Sequence, residues 1–306
     1  MIPDPKTFLS NPALLDEALA GGDIAPLLMV LVHLTGEAEW LDRLAPHIKG
    51  PWNFHEAAPD ALRAELRARL RDVLLDYAQS GRALPAEPPA HLLRRMLSVG
   101  VGAEVPEEYM PLIREETVVD APDPKTVQWR RAVPAESRAG FRTGIIGAGV
   151  SGLLMAIKLQ EAGLPFTIFE KNNAVGGTWY ENDYPGCGVD TPNHFYSLSF
   201  EPNHDWPEHF SKRDQLWRYL EGIADQYGLR PHLHLETSVT EARYDEEAAL
   251  WRVTTRNAAG QEATHEFEVL VGAVGTISRP VIPPIPGVED FSGPLFHTAR
   301  WDHGVA

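Results

Sequence analysis

The sequence is poor in cysteine, in long apolar runs and in positive charge. Cys187 is the only cysteine, which excludes an internal disulfide framework and a cysteine-based metal cluster. The longest apolar run spans residues 25–34. It is about half of the roughly 20 residues that a membrane-spanning helix needs, so it predicts a buried helix. The opening residues MIPDPKTF lack the basic start of a signal peptide. We therefore expect a cytoplasmic protein.

Acidic residues outnumber basic ones. The 306 residues include 27 Lys and Arg against 43 Asp and Glu, which gives a formal net charge of −16. A surface of this sign repels phosphate backbones and anionic lipids, so we expect binding to neither nucleic acid nor membrane. The hydrophobic fraction of 43% is that of a soluble globular protein, and the length suggests two domains.

Residues 1–115 are predicted to form a helical N-terminal domain. In APDALRAELRARLRDVLLDY the apolar side chains recur at helical spacing along one face: Leu62, Leu66, Leu70, Val73, Leu74 and Tyr77. This part of the chain has no recognisable catalytic cluster, and its scattered histidines are interpreted as ordinary residues rather than metal ligands. Apolar helices without site chemistry favour a role in homodimer formation, and a simple helical core is the alternative.

The character of the sequence then changes. Residues 116–140 are rich in proline and polar residues and are predicted to be a linker. From residue 141 the pattern becomes strand, glycine-rich loop, helix and strand. Three strand-like stretches with turns between them follow, EARYD, LWRVTTR and FEVLVGAV. Residues 141–290 are therefore expected to form a second, α/β domain.

The glycine-rich loop has the spacing of a dinucleotide-binding turn. Gly147, Gly149 and Gly152 form G-x-G-x-x-G between the strand TGII and a helix expected at about 150–162. The first glycine permits a tight turn, the second lets backbone N–H groups approach a pyrophosphate, and the third lets helix and strand pack closely. The pyrophosphate would lie at the helix N-terminus, beside Ser151.

Glu170 closes the next strand, FTIF, 18 residues after Gly152. A carboxylate at this spacing accepts a hydrogen bond from a ribose 2′-hydroxyl and repels a 2′-phosphate. The turn therefore suits FAD or NAD rather than NADP, and it predicts a Rossmann-like fold. The alternative is an exposed glutamate at a strand end.

A second glycine pair, Gly176 and Gly177, follows closely, and Thr178 and Trp179 come next. Such a pair lets the backbone approach an extended cofactor, and an aromatic side chain can lie against a ring system. Because FAD is long enough to reach past the first strand–helix–strand unit, this favours FAD. A glycine turn beside a core tryptophan is the alternative.

Four stretches together resemble the type I Baeyer–Villiger monooxygenases, which use FAD and NADPH to insert one oxygen atom beside a ketone carbonyl. They are GAGVSG, Glu170, GGTWYENDYPGCGVD and the closing F-x-G-x-x-x-H-x-x-x-W-D, whose fixed positions are Phe291, Gly293, His297, Trp301 and Asp302. The stretch DIAPLLMVLVHLTG in the helical part is similar to the 4-hydroxyacetophenone monooxygenase branch. The resemblance covers the first half of such an enzyme. It implies a three-layer ββα FAD domain preceded by an all-helical domain.

The resemblance also implies roles for single residues. Asp190 matches an aspartate that pairs with an arginine beside the flavin, and Tyr196 and Val239 match positions that line FAD. Gly188 departs from the family, which usually has an arginine there, and this departure puts the normal flavin or NADPH contacts in doubt. The implied reactants are a small ketone and molecular oxygen.

The closing stretch, residues 291–306, matches the connector between the FAD and NADPH domains. His297 and Trp301 match connector residues linked to domain motion and NADPH use. Since the NADPH domain and the rest of the FAD domain have no counterpart in this sequence, we expect the 306-residue chain to bind FAD weakly or not at all and to be inactive alone.

Two alternatives remain open. One is a flavin monooxygenase that oxidises nitrogen or sulfur, which has a similar first half. The other is a non-catalytic fragment that binds FAD or mediates oligomerisation. The complete match of the closing motif favours ketone oxidation over the first alternative.

Overall fold

The computed structural model describes residues 11–51, 54–116 and 125–305. It divides into two compact units, Met1–Lys125 and Thr126–Ala306. The division falls inside the predicted linker, of which residues 117–124 lie outside the described part of the chain. The stretch MIPDPKTF also lies outside the described residues. The domain limits predicted at 115, 140 and 290 stay predictions.

The first unit is built from short and medium helices. They are α1 (Pro12–Gly21), α2 (Ile24–Thr35), α3 (Glu39–Leu44), α4 (Asp60–Ser80), α5 (Ala90–Val101) and α6 (Met110–Glu116). A minimal antiparallel pair, β1 (Ile48–Lys49) and β2 (His55–Glu56), lies between α3 and α4 in the chain. This pair is absent from the all-helical prediction, since two-residue strands leave no periodic pattern to detect.

The apolar stripe predicted on α4 lies at the centre of this unit's core. Leu66 and Leu70 are buried in one cluster with Leu28 and Leu31 of α2. The apolar run 25–34 belongs to α2, so the prediction of a buried helix there is confirmed. None of the described helices combines the length and the apolar character needed to cross a bilayer.

The second unit alternates helices and strands. Its elements are α7 (Ala135–Ala139), β3 (Thr143–Ile146), α8 (Val150–Ala162), β4 (Phe166–Phe169), α9 (Thr178–Glu181), α10 (Arg213–Gln226), β5 (Leu233–His234), β6 (Thr237–Asp245), β7 (Leu250–Asn257), β8 (Glu262–Phe267) and β9 (Val269–Gly272). Four strands form a parallel sheet in the order β5-β4-β3-β9, and three form an antiparallel sheet in the order β6-β7-β8.

These elements stack in three layers. Ile168 of β4 packs in a cluster with Leu153 of α8 and Leu220 of α10. The next residue, Phe169, packs instead with Val253 of the antiparallel sheet. Successive residues of a strand point to opposite faces, so helices cover one face of the parallel sheet and the antiparallel sheet covers the other. The predicted Rossmann-like, three-layer ββα fold is confirmed.

The strand order positions the site. The chain leaves β3 through α8 for β4 on one side, and it reaches β9 on the other side much later. The order therefore reverses at the carboxyl end of β3, which is where open α/β sheets bind ligands.

One strand prediction is wrong. FEVLVGAV divides at Glu268: Phe267 ends β8 of the antiparallel sheet, and Val269 begins β9 of the parallel sheet. The break is held by Arg142, whose backbone N–H donates to the Glu268 carboxylate at 2.6 Å and whose guanidinium pairs with it at 2.9 Å. A local pattern cannot report a partner that lies 126 residues away in the chain.

Candidate functional site

The first glycine turn leaves no room for side chains at two of its positions. Gly147 follows β3 with φ +103°, and a Cβ there would lie 2.5 Å from the carbonyl oxygen of Ala273. A Cβ on Gly152 would lie 1.9 Å from the carbonyl oxygen of Gly147. The packing agrees with the functions expected of the first and third glycines, a tight turn and a close approach of helix to strand.

The second glycine pair lies directly against the first turn. The N–H of Gly176 donates to the Ala148 carbonyl at 2.9 Å. A Cβ on Gly177 would lie 2.9 Å from the Cα of Gly149, and Gly177 has φ +54°. The structure therefore brings together two loops that are separated in sequence, and both present backbone rather than side chain.

Helix α8 opens onto these turns. Its N-cap is Gly149, which has no side chain to cap the helix, and Val150 and Ser151 are exposed. The first N–H groups of a helix have no intrahelical acceptor, and they carry the positive end of the helix dipole. With 13 residues, α8 is long enough for this effect, so its start is suited to a phosphate group.

Glu170 is not an exposed strand-end residue, because only 4% of it is accessible. Its Oε2 accepts the N–H of Ala148, inside the glycine turn, at 2.8 Å. Its Oε1 accepts the N–H of Asn172 at 2.9 Å. The carboxylate thus fixes the turn from within, a contact that sequence spacing did not reveal. A carboxylate can accept about four hydrogen bonds, so capacity remains for a ribose hydroxyl.

Trp179 lies in the core, where 7% of it is accessible. Its indole N–H donates to the Tyr196 hydroxyl at 3.2 Å, and the two rings meet edge to face with centroids 5.6 Å apart. Thr178, beside it on α9, is exposed. The geometry thus fits the alternative of a core tryptophan that supports the second glycine turn.

Asp190 has an exposed carboxylate, and the Thr191 hydroxyl lies 3.5 Å from its Oδ1 atom. In the described ranges it takes part in none of the ion pairs. Gly188, two residues earlier, pairs with Lys212 in an antiparallel bridge, and a Cβ on it would lie 2.8 Å from the Ser211 carbonyl oxygen. A side chain at position 188 would therefore require a shift of the neighbouring backbone.

Val239 is half buried between the two sheets rather than facing open space. It lies in β6 beside a register shift and packs against a cluster that contains Phe169 and Phe267. The start of β6 is still tied to the site, because the N–H of Thr237 donates to the Glu170 carbonyl at 2.8 Å.

The closing stretch forms a short turn. The Nδ1 atom of His297 accepts the N–H of Ala299 at 3.0 Å and so caps the 3₁₀ turn Thr298–Arg300. Trp301 meets Phe296 edge to face, with ring centroids 5.0 Å apart. A capping function for His297 was not expected from the motif.

Glu181 is a residue that the sequence patterns missed. Its side chain is 11% accessible, and its Oε1 accepts hydrogen bonds from Lys171 Nζ at 2.7 Å and from the Asn172 amide at 3.0 Å. Arg300 of the closing stretch lies 3.7 Å from its Oε2. Although burial opposes ionisation, these donors hold the pKa of Glu181 below its usual range.

The sequence of this chain is similar to those of known monooxygenases. The family model of an NAD(P)-binding Rossmann-like domain matches residues 145–212. An uncharacterised monooxygenase of Sinorhizobium fredii is 33% identical over 296 residues, which are 95% of this chain and 43% of that protein. A Baeyer–Villiger monooxygenase of Streptomyces coelicolor is 43% identical over 163 residues, which are 53% of this chain and 30% of that enzyme. This chain is a homologue of Baeyer–Villiger monooxygenases.

Among solved structures, that of OTEMO in complex with FAD and NADP is 36% identical and matches with a TM-score of 0.49, over 54% of this chain and 31% of that one. This homologue of the Baeyer–Villiger enzymes spans less than half the length of the curated relatives just described. The resemblance to Baeyer–Villiger monooxygenases stated from the sequence motifs is confirmed by the sequence relatives.

Proposed function

We propose that this chain is the FAD-binding part of a Baeyer–Villiger monooxygenase, which uses FAD, NADPH and molecular oxygen to convert a ketone into an ester or lactone. The observation that carries the proposal is the buried Glu170 carboxylate, bonded to the glycine turn at 2.8 Å beside an uncapped helix start. Homology to monooxygenases of this type supports the reaction.

The residues present fit the adenine-nucleotide half of FAD. The first N–H groups of α8, from Val150 and Ser151, would hold the pyrophosphate, and Glu170 would accept a ribose hydroxyl. Gly177, whose Cβ would lie 2.9 Å from the Cα of Gly149, would let the two glycine turns pack together beside the ligand. Bound FAD would supply the redox chemistry and the activation of oxygen.

Three residues would act around the flavin and the nicotinamide. The exposed Asp190 carboxylate would orient an arginine by charge-assisted hydrogen bonds. His297 and Trp301 would fix the conformation of the connector while the domains move relative to each other during NADPH use. The second glycine turn, with Gly176 and Thr178, would face the cofactor, and the contact between Trp179 and Tyr196 would support it from the core. Val239 would pack beneath the end of the strand that leads to Glu170.

We also infer a cytoplasmic location and a homodimer that forms through the N-terminal helices. Val30 of α2 and Leu112 of α6 are exposed apolar side chains that such a contact would cover. Light scattering of the purified chain is expected to give the mass of a dimer, and a monomer at every concentration would contradict the inference.

A pair of matched nucleotides tests the site. We expect ADP to bind the chain more tightly than its 2′-phosphorylated form, adenosine 2′-phosphate 5′-diphosphate, because a 2′-phosphate would meet the Glu170 carboxylate. The variant Glu170→Gln should weaken ADP and FAD binding, measured by calorimetric titration. Glu161→Gln, which removes a carboxylate from the far end of α8, is the control. Equal binding of the two nucleotides, or no binding of ADP, would contradict the proposal.

Activity of the chain alone is a separate question. The chain covers 30% to 43% of its relatives, which favours a non-catalytic, FAD-binding function for the isolated 306 residues. We expect no steady NADPH oxidation when FAD and a ketone are added. Product formation from a ketone would instead assign the whole reaction to this chain, and product only from an amine or sulfide would favour an N- or S-oxidising enzyme.

A further inference from the structure

The closing turn and the glycine turn are joined by a continuous set of polar contacts. Glu170 holds Ala148 of the glycine turn at 2.8 Å and the N–H of Asn172 at 2.9 Å. The side-chain amide of Asn172 donates in turn to Glu181 at 3.0 Å. The second oxygen of Glu181 lies 3.7 Å from Arg300 of the closing turn.

Asn172 is the residue at which the two carboxylates meet. Besides its two donor contacts, its carbonyl oxygen accepts the N–H of Glu236 at 2.8 Å. The main chain and the side chain of Asn172 are therefore both hydrogen-bonded. A shift of the Glu181 carboxylate pulls on the side chain of Asn172, whose N–H is bonded to Glu170. Hydrogen bonds of this kind are sensitive to displacements of a few tenths of an ångström.

A second contact joins the same two segments. The imidazole of His303 lies 2.9 Å from the Asp183 carboxylate, two residues after Glu181. The short turn Thr298–Arg300 has little stability of its own, since 3₁₀ turns are brief and have strained hydrogen bonds. Besides the cap from His297, its order therefore depends on these contacts with residues 181–183 and on the packing of Trp301.

We propose that Glu181 is a positioning residue which couples docking of the closing turn, residues 298–303, to occupancy of the dinucleotide turn at Gly147–Gly152. A ligand that contacts Glu170 fixes Asn172 and Glu181, and this favours the docked position of Arg300. By thermodynamic reciprocity, a docked closing turn raises the affinity for the ligand by the same factor. The inference rests on the proposed function only for the identity of the ligand, an adenine nucleotide.

Hydrogen–deuterium exchange of the full 306-residue protein, read at peptides that cover residues 298–305, tests the coupling. Without ligand, Arg300→Gln and Glu181→Gln are expected to speed exchange of these peptides by about fivefold, the lower end of the usual coupling range. Saturating ADP should slow exchange in the wild type and not in Arg300→Gln. In calorimetric titrations, Arg300→Gln should weaken ADP binding. The factor should be similar to the factor by which ADP slows exchange of the closing peptides in the wild type.

The controls separate charge from general damage. Arg243→Gln breaks a surface ion pair with Glu241 in the same unit and should leave both measurements unchanged. Arg300 is half exposed, so its replacement should not unfold the unit even if Glu181→Gln does. Arg300→Lys keeps the charge and is expected to restore the ADP-dependent protection; failure to restore it would overturn the ionic basis of the coupling.

The outcomes distinguish the inference from the proposed function. If the wild type does not bind ADP, the proposed function fails, while the ligand-free exchange rates still test whether Glu181 docks the closing turn. If ADP binds and Arg300→Gln changes neither the exchange of the closing peptides nor the ADP affinity, the coupling is refuted and the proposed function stands.

Discussion

The helical core of the first unit and the dinucleotide turn of the second unit are defined in different ways. In the first unit, leucines such as Leu28 and Leu66 are fully buried within a helical core, where the pattern of apolar positions matters more than any single atom. In the second unit, the decisive positions are glycines whose missing Cβ atoms create the site. A helical core can be redesigned by volume, whereas the glycine turns depend on the absence of atoms at fixed points.

The largest expected effect is at Gly152. In Gly152→Ala the new Cβ would lie 1.9 Å from a backbone oxygen, which cannot move as a flexible side chain can. We expect the second unit to lose about 3 kcal/mol or more of unfolding free energy, measured by urea denaturation. Gly222→Ala, in α10 with nothing within 4 Å of its Cβ, should instead gain about 0.5–1 kcal/mol. Similar losses for both variants would mean that the close backbone contact at Gly152 is not what excludes a side chain there.

The helical core should respond to lost volume in a graded way. Leu66→Ala removes a side chain with 0% exposure and is expected to cost about 2–5 kcal/mol in the first unit. Leu84→Ala, at a position 66% exposed, should cost less than about 0.5 kcal/mol. Differential scanning calorimetry would follow the two variants. A large effect of Leu84→Ala would mean that its exposed surface is covered in solution.

Replacement of Glu170 tests whether a buried hydrogen-bonding side chain also stabilises the glycine turn. Glu170→Gln keeps the shape but leaves one N–H, of Ala148 or Asn172, facing an amide donor. We expect a loss of about 2 kcal/mol in the second unit even without ligand, because a buried donor is left unsatisfied. If chemical denaturation of the ligand-free chain finds no loss, the carboxylate does not hold the turn.

The smallest effect concerns pH. Burial, and then the nearby His234, lower the pKa of His265 from its ordinary value of 6.5. The His265 imidazole therefore binds a proton less readily in the folded chain than in the unfolded chain. Its contribution to the free energy of unfolding is present above pH 6.5 and is lost as pH falls below that value. His265→Gln should reduce the acid-side loss of stability, followed by urea midpoints above and below that pH. His204→Gln, in an exposed loop, is the control, and an equal change there would refute the assignment.

Local patterns predicted the elements of both units well, because the signals are short-range. The period of the apolar residues on α4 identifies its buried face, and the succession of strand, glycine turn and helix from Thr143 onward identifies β3 and α8. The split between β8 and β9 escaped detection, since Glu268 is held by Arg142 from the far end of the unit.

The sequence predicted which residues belong to the site, but it did not predict most of the contacts between them. The spacing of Glu170 from the glycines pointed to the right part of the fold, but its bond to Ala148 depends on how two strand ends meet. Glu181 had no signal of its own, because each of its partners is defined only after the loops have packed. Burial of Trp179 likewise follows from its contact with Tyr196, which spacing along the chain does not encode.

The contact between position 152 and the Gly147 carbonyl also limits how the gene can vary. Any single-base change of a glycine codon that alters the encoded residue introduces a β-carbon. Every one-step missense change at Gly152 therefore places a side-chain atom against the backbone of its own turn, and the turn itself must shift to accept it.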